Sequence, residues 1–228
     1  MDREQVVGHY TPLDVSAIID GAQILLDDGI YRVLVLNNAP ASAWWGVGTR
    51  WCTANAGWFD GYRQYGELIF IEHRPSHRRW QLYIRNCEFR NARNRRANGQ
   101  VFARTHPVVI DTLRSRILAD CRASLFFGLT PQGARIEHFL NLRGLSLESL
   151  PASLYVRDDL DLRATGIQQL PTGLCVGGDL LLSARATPAM PGDLKVGGRI
   201  LLCDGWRLRQ PIRAISGTAT NELAGSGY

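Results

Sequence analysis

The sequence of 228 residues lacks long apolar runs, paired cysteines and, almost completely, lysine. It has no stretch of about 18 apolar residues that would form a membrane-spanning helix, and its start is too polar for a secretory signal. The five cysteines are an odd number without CxxC pairs, which is typical of free thiols in a reducing cytosol. These absences argue against the secreted, fibrous and membrane classes and predict a cytoplasmic protein.

The overall composition is that of a globular protein. Apolar residues make up 45% and charged residues 21% of the chain, which argues against disorder. The length is sufficient for one large domain or two small ones, each with a buried core.

Basic charge is concentrated in one segment. Residues 1–73 contain nine acidic residues and four arginines, whereas residues 74–104 contain nine arginines and one acidic residue, and Lys195 is the only lysine. Eight of these arginines form the basic patch: Arg74, Arg78, Arg79, Arg85, Arg90, Arg93, Arg95 and Arg96. Because guanidinium groups bind phosphates and carboxylates alike, three interpretations stay open. They are a solvated or internally paired face, a nucleic-acid interface and a docking surface for an acidic protein.

The second half of the chain has a period of twenty residues. Prolines stand at positions 131, 151, 171, 191 and 211, and apolar residues recur in phase with them. Units this short cannot bury an apolar face alone, so they must stack. We predict a right-handed β-solenoid of about four coils over residues 130–210, with a C-terminal cap and tail at 211–228. The inward positions, which we expect to be buried, are Leu140, Leu142, Leu160, Leu162, Leu180, Leu182, Ile200 and Leu202.

Two segments, LPASLYVRDDLDLRATGIQQ and LPTGLCVGGDLLLSARATPA, resemble short leucine-rich repeats of bacterial and bacteriophage proteins. The likeness covers about residues 130–210. It departs at the usual asparagine ladder, where this chain has Thr165 and Thr187. The resemblance implies protein recognition rather than chemistry.

Side chains that alternate with the inward leucines are expected to be exposed, Asp161 and Arg163 among them. The predicted protein-binding face consists of Asn141, Asp161, Leu181, Leu201, Arg143 and Arg163. An exposed leucine pair with an arginine rim is typical of a partner surface. The alternative is that a subunit, a cap or the tail covers Leu181 and Leu201.

Residues 1–129 show no repeat and predict an α+β domain. We expect a helix after Thr11 that ends at Gly29. The other expected elements are helices at 40–45 and 107–123 and strands at 31–36, 68–72 and 80–85, with a turn at 74–77.

The string WWGVGTRWCTAN, at residues 44–55, is the most distinctive part of this domain. It resembles a G-x-G-T-x-W-C-T-A motif of uncharacterised phage and prophage proteins, in a likeness that covers about residues 33–90. The chain departs from that pattern at Tyr83, where the pattern has histidine. The resemblance implies a phage origin and a place in the host-cell cytoplasm.

Candidate catalytic residues are sparse. Cys52 with His73 or His77 would supply a thiol nucleophile and its base, and a packed structural cysteine is the alternative. The histidines and cysteines have no metal-ligand spacing, so we expect no metal and no other cofactor. The glycines at 46 and 48 lack the spacing and the lysine of a phosphate-binding loop.

These observations predict a non-enzymatic protein-binding protein. Its repeat face and basic patch would bind a host or phage protein with an acidic surface, and the phage resemblance suggests inhibition or redirection of a host defence complex. Two alternatives stay open: an enzyme centred on Cys52, and a nucleic-acid-binding protein that uses residues 74–104. No membrane partner is expected, and the sequence leaves the oligomeric state open.

Overall fold

The computed structural model describes residues 15–64, 66–204 and 207–208. The chain divides between Ala123 and Ser124 into an α+β unit and a β-solenoid, so the predicted fold class is confirmed at this level. The predicted helix start after Thr11 and the predicted cap and tail at 211–228 lie outside the described residues. None of the helices in the described part of the chain combines the length and the apolarity of a membrane span.

The α+β unit carries helices on a five-stranded sheet. Its helices are α1 (Val15–Asp20), α2 (Ala39–Trp45), α3 (Ala56–Arg63), α4 (Gly99–Thr105) and α5 (Pro107–Leu118), and α6 (Cys121–Phe127) spans the boundary between the units. Its strands are β1 (Ala22–Asp27), β2 (Tyr31–Leu36), β3 (Leu68–His73), β4 (Arg78–Tyr83) and β5 (Glu88–Asn91). The strands pair antiparallel in chain order, so each strand lies beside the next one in sequence.

Both faces of this sheet are covered. All four residues at 33–36 in β2 are buried, which is why this strand is a continuous apolar run rather than an alternating one. One face packs against Ala41 of α2 and Phe59 of α3 in a single apolar cluster. On the other face, the ring of Trp80 lies 5.1 Å from that of Phe102 in α4. The sheet therefore separates two helical layers.

The first predicted helix is wrong beyond Asp20, because β1 begins after Gly21 and pairs antiparallel with β2. A Cβ atom added at Gly21 would lie 2.1 Å from Oδ1 of Asn38. That oxygen caps α2 by accepting a hydrogen bond from the backbone N of Ala41. The apolar residues 24–26 fit a helical period, but pairing with a neighbouring strand overrides local propensity.

Several other predicted elements of this unit are confirmed. β2, α2 and β3 lie where the sequence predicts them, and His77 in the hairpin turn has a left-handed φ of 51°. β4 begins and ends two residues before the predicted strand at 80–85. The predicted helix at 107–123 is interrupted after Leu118. There the side chain of Asp120 accepts a hydrogen bond from the backbone N of Ala123 and starts α6. α3, α4 and β5 are additional to the predicted elements.

The repeat unit is a solenoid with two parallel sheets. One sheet contains β6 (Arg135–Ile136), β8 (Tyr155–Val156), β10 (Cys175–Val176) and β12 (Lys195–Val196). The other contains β7 (Leu140–Asn141), β9 (Leu160–Asp161), β11 (Leu180–Ser183) and β13 (Ile200–Asp204), to which β14 (Arg207–Leu208) adds antiparallel. Leu160 lies opposite Leu180, which confirms stacking in register. The strands delimit about three turns, slightly fewer than the four coils predicted.

Glycines at one corner of the solenoid allow its coils to stack closely. A Cβ atom added at Gly177 would lie 2.0 Å from the carbonyl oxygen of Arg157 in the preceding coil. One added at Gly197 would lie 2.4 Å from the carbonyl oxygen of Gly177. The Val-Gly-Gly sequence of the repeat therefore marks a column where backbones approach too closely for a side chain.

The inward columns are buried as predicted, except at their end. Seven of the eight predicted inward residues are buried, and Leu202 is only half-buried. Its strand, β13, pairs on its far edge with the antiparallel β14 rather than with another coil. Within the described residues, Leu202 thus has a stacked coil on one side only.

The prediction that Asp161 is exposed is wrong. Its exposed fraction is 2%, because Arg163 folds over it. The carboxylate accepts hydrogen bonds from the Arg163 backbone N, Nε and Nη2 at 3.0, 2.9 and 2.5 Å. Arg163 is itself half-buried rather than exposed. Alternation along a strand sets the direction of a side chain, whereas its exposure depends on the neighbours that cover it.

Replacing Asp161 with asparagine is expected to lower the free energy of unfolding by about 1–3 kcal/mol, because Arg163 keeps its charge and loses its charged acceptor. Urea denaturation followed by circular dichroism measures the change. Asp158→Asn is the control, since it removes the same charge from an exposed side chain that has no hydrogen bond among the described residues. Equal stability of the two variants would contradict this account.

Candidate functional site

Three arginines of the basic patch pair with carboxylates of their own unit. The pairs are Arg74–Asp27, Arg79–Glu72 and Arg90–Glu88, with N–O distances of 3.0 and 3.1 Å in the last two. The arginines of these pairs are about one quarter to one third exposed, and such pairs contribute about 1 kcal/mol or less to stability. The interpretation of the patch as internally paired is therefore correct for these three.

The remaining arginines of the patch are exposed: Arg78, Arg85, Arg93, Arg95 and Arg96. Arg78 begins β4, and Arg93 and Arg95 follow the end of β5, so the antiparallel pairing places all three at the same end of the sheet. Arg85 follows β4 at the opposite end. We call Arg78, Arg93 and Arg95 the exposed arginine group. No carboxylate among the described residues forms an ion pair with any of the three.

Asn91 builds the turn that presents two of these arginines. Its Oδ1 accepts hydrogen bonds from the backbone N atoms of Arg93 and Arg95 at 3.0 and 3.1 Å. Asn94, between them, adopts a left-handed φ of 59°, which asparagine tolerates better than most residues. The asparagines interleaved with the arginines therefore have a structural role here.

A second set of polar side chains lies at the same end of the sheet. We call it the histidine cluster: Tyr31, His73, Ser76, Arg78 and His106. Tyr31 lies opposite His73, which in turn lies opposite Arg78, so the three adjacent strands carry them on one face. His106 joins α4 to α5. Tyr31, Ser76 and His106 could not be predicted as site residues, because no local spacing in the sequence links them.

A hydroxyl group lies at the Nδ1 atom of each imidazole in the histidine cluster. The Tyr31 hydroxyl lies 2.9 Å from Nδ1 of His106, and the Ser76 Oγ lies 2.6 Å from Nδ1 of His73. The two imidazole centroids are 5.8 Å apart. Among the described residues, Nε2 of neither ring has a hydrogen-bond partner. Two ring nitrogens thus remain for a ligand, on the sheet face that also carries Arg78.

Aromatic rings bury His106 and thereby shift its pKa. The rings of Trp80 and Phe102 lie 5.0 and 4.6 Å from that of His106. Burial lowers the pKa of His106 below its usual 6.5, and the other basic side chains of the cluster lower it further. Burial raises the pKa of Tyr31. At neutral pH the hydrogen bond between these two residues therefore joins two uncharged groups.

His106 is expected to make the folded protein less stable in mild acid. Because its pKa in the folded protein lies below 6.5, the unfolded chain takes up the proton more readily. Its contribution to stability is therefore complete above pH 6.5 and declines as the pH falls toward the folded pKa. Urea denaturation of wild type and His106→Gln on both sides of pH 6.5 tests this: the variant should lose part of the pH dependence, and an unchanged dependence would be contrary to it.

Cys52 lies apart from the histidines proposed as its base. It is in a short 3-10 turn, where its Sγ is 3.4 Å from the hydroxyl of Tyr62, and this contact raises the pKa of Tyr62 to about 12. The adjacent Thr53 bonds to the face of the sheet that packs against α2 and α3. His73 points to the opposite face, and His77 is exposed in the hairpin turn. The described contacts do not bring a thiol–imidazole pair together.

The tryptophan-rich string contributes mainly to the core. The rings of Trp45 and Trp51 lie 5.5 and 6.2 Å from that of Phe70. Nε1 of Trp51 donates a hydrogen bond to the carbonyl oxygen of Asn91 at 2.7 Å. The string therefore packs the sheet and supports the turn that carries the arginines.

An apolar cavity of about 460 Å³ lies beside α1. Its apolar lining consists of Val15, Ile18, Ile19, Ala22, Ile24, Leu34, Trp44 and Trp45. The polar lining is Arg32 and Asp27, which form an ion pair at 3.0 Å, and the Arg32 guanidinium lies 4.9 Å from the ring centroid of Trp45. Because this arginine already has a carboxylate partner, the cavity suits apolar groups better than anions.

The predicted protein-binding face of the solenoid is only partly accessible. Asn141 is exposed, and Arg143 and Leu181 are half-buried. Leu201 has an exposed fraction of 9% and belongs to the buried residues. The prediction of two exposed leucines is therefore wrong, because only Leu181 is partly accessible.

The comparisons with known proteins do not assign this chain to a family. A scan against protein-family models finds no match, and searches of curated proteins and of solved structures find none either. No group of three His, Cys, Asp or Glu side chains in the described residues could hold a metal ion, and the cysteines are free thiols. Function is therefore inferred from the chain's own geometry.

Proposed function

We propose that the protein binds single-stranded nucleic acid through the exposed arginine group and the adjacent histidine cluster. The observation that carries this proposal is that three arginines without an ion-pair partner among the described residues lie at the same end of the sheet as the half-buried rings of Tyr31 and His73. Guanidinium groups bind phosphate oxygens, and the rings of Tyr31 and His73 offer surfaces on which bases stack.

The rings favour nucleic acid over an acidic protein. An acidic protein surface would satisfy the arginines equally well, because carboxylates and phosphates bind guanidinium in similar ways. It would make no use of the exposed part of the Tyr31 and His73 rings, whose centroids are 5.0 Å apart. A base stacks on such rings whatever its sequence, while the backbone follows the positive charge.

Fluorescence anisotropy with a short labelled single-stranded RNA tests the proposal. We expect saturable binding at about 50 mM salt, with the logarithm of the association constant falling by about 0.7 per phosphate contact for each logarithmic unit of salt. Polyglutamate at equal charge concentration is the competitor. Absence of binding at this salt concentration, or equally strong competition by polyglutamate, would count against nucleic acid.

A second candidate function is protein recognition by the solenoid. It is favoured by the outward side chains of Asn141, which is exposed, and of Arg143 and Leu181, which are half-buried. Asn141 and Leu181 lie on strands of the same parallel sheet. Extended sheets of stacked repeats commonly serve as recognition surfaces. The phage origin and the action on a host defence complex stay predictions from the resemblance.

The solenoid proposal is tested with Leu181→Glu in affinity capture from the native host. Loss of one protein partner with this variant, but not with Asp158→Lys at an exposed position, would support it. Equal recovery with both variants removes this face from the proposal.

A further inference from the structure

The histidine cluster has the groups required for general acid–base catalysis. Two imidazoles lie with centroids 5.8 Å apart, each with Nδ1 in contact with a hydroxyl group and without a hydrogen-bond partner for Nε2 among the described residues. Arg78 lies directly opposite His73 in the strand pairing, and its side chain is exposed. A positive charge beside two imidazoles suits a reaction in which a phosphate gains negative charge and a proton is exchanged on each side.

We propose that this cluster cleaves single-stranded RNA by internal transesterification, an activity that rests on the proposed binding of nucleic acid. The ribose 2′-oxygen forms a bond to phosphorus, and the bond between phosphorus and the 5′-oxygen breaks. The products are a 2′,3′-cyclic phosphate and a free 5′-hydroxyl. No oxidant, reductant or covalent enzyme intermediate is required.

His106 is the base and His73 the acid in this reaction. In the tautomer whose Nδ1–H donates to the Tyr31 oxygen, Nε2 of His106 has a lone pair that accepts the proton of the 2′-hydroxyl. The protonated His73 gives its Nε2 proton to the departing 5′-oxygen. Exchange with solvent then restores both imidazoles.

Two further side chains complete the site. The Ser76 hydroxyl holds the His73 ring at 2.6 Å, so Ser76 is a positioning residue. Arg78 neutralises the phosphate as its charge develops. Because the attacking group is the 2′-hydroxyl, DNA of the same sequence binds but is not cleaved.

The test combines cleavage with binding. A single-stranded RNA labelled at its 5′ end is incubated with the full chain in EDTA, and products are separated with standards for the 2′,3′-cyclic phosphate. We expect His106→Gln and His73→Gln each to lower kcat/KM by about 10²–10⁴-fold. His138→Gln, an exposed histidine of the solenoid, should cleave as wild type does.

Binding is measured separately with an RNA that carries a 2′-deoxy substitution at the scissile nucleotide. Wild type that binds this analogue but leaves RNA intact would overturn the proposed cleavage and leave nucleic-acid binding standing. Wild type that does not bind it would overturn both. Cleavage by both glutamine variants at the wild-type rate would identify a co-purified nuclease and would also overturn the proposal.

A pH profile of the wild type gives a test that does not depend on the folding of a variant. One imidazole must be neutral and the other protonated, so kcat/KM is expected to pass through a maximum as pH varies. A rate that rises steadily with pH, as for hydroxide-driven cleavage, would contradict the two-histidine site.

Discussion

Replacing Leu160 with alanine is expected to lower the free energy of unfolding by about 2–5 kcal/mol. Leu160 is fully buried and lies in register between Leu140 of the preceding coil and Leu180 of the next. Truncation removes apolar contacts and leaves a cavity between coils whose backbones are fixed by hydrogen bonds on both sides. Urea denaturation with hydrogen exchange of the solenoid amides measures the loss.

Arg157→Ala is the control for this prediction. Arg157 is exposed in the same coil, and its backbone N donates to Ile136, a bond that the substitution leaves unchanged. The free energies of unfolding of Leu160→Ala and Arg157→Ala should therefore differ by most of the expected ~2–5 kcal/mol, that is by about 2 kcal/mol or more. A Leu160→Ala protein as stable as Arg157→Ala would be incompatible with a continuous core.

Removing the exposed arginine group, as the triple variant Arg78→Ala, Arg93→Ala and Arg95→Ala, is expected to weaken RNA binding about 100-fold. Each lost charge-assisted contact with a phosphate weakens binding by roughly 1 kcal/mol. Each phosphate contact on a single strand contributes about 0.7 to the slope of log association constant against log salt concentration. Loss of three contacts should therefore reduce the magnitude of this slope by about 2. Anisotropy titrations over a range of salt concentrations measure both quantities.

The matched control is a second triple variant, which removes three positive charges from the solenoid: Arg135→Ala, Arg157→Ala and Arg199→Ala. All three arginines are exposed, and none belongs to the basic patch. If binding depends on net charge alone, the two triple variants will lose the same affinity and the same salt dependence. That result would rule out a specific role of the exposed arginine group.

The solenoid was predictable because its information is repeated along the sequence. Proline and leucine columns at a fixed period define strands, inward positions and register together, and Leu160 opposite Leu180 follows directly. The sheet of the α+β unit was predictable where apolar runs were bounded by turn residues, as in β2 and β3. The solenoid signal comes from repetition over several units, whereas the signal for β2 and β3 lies within each strand.

The wrong predictions concern positions that neighbours decide. Residues 24–26 are apolar in a helical pattern, yet pairing with β2 makes them a strand. Asp161 points outward, yet Arg163 covers it, and Leu202 points inward, yet no coil of the described part of the chain stacks on its far side. Sequence periodicity gives direction, but it contains no information on what lies next to a side chain.

The histidine cluster illustrates the same limit for function. Tyr31, His73 and Arg78 meet through the register of three strands, and His106 reaches them from a helix junction. The sequence places His73 and Arg78 near each other, but it gives no reason to add Tyr31 or His106. The basic patch could be predicted as a segment, whereas its division into paired and exposed arginines required the side-chain contacts.

Photo-crosslinking of the full chain to a single-stranded RNA, followed by mass spectrometry of the crosslinked peptides, tests the central claim most directly. Binding at the arginine-bearing end of the sheet predicts crosslinks in peptides that contain Tyr31, His73 or the turn at 92–96, and their loss in the triple arginine variant. Crosslinks confined to the solenoid, or none at about 50 mM salt where phosphate contacts are strong, would contradict it.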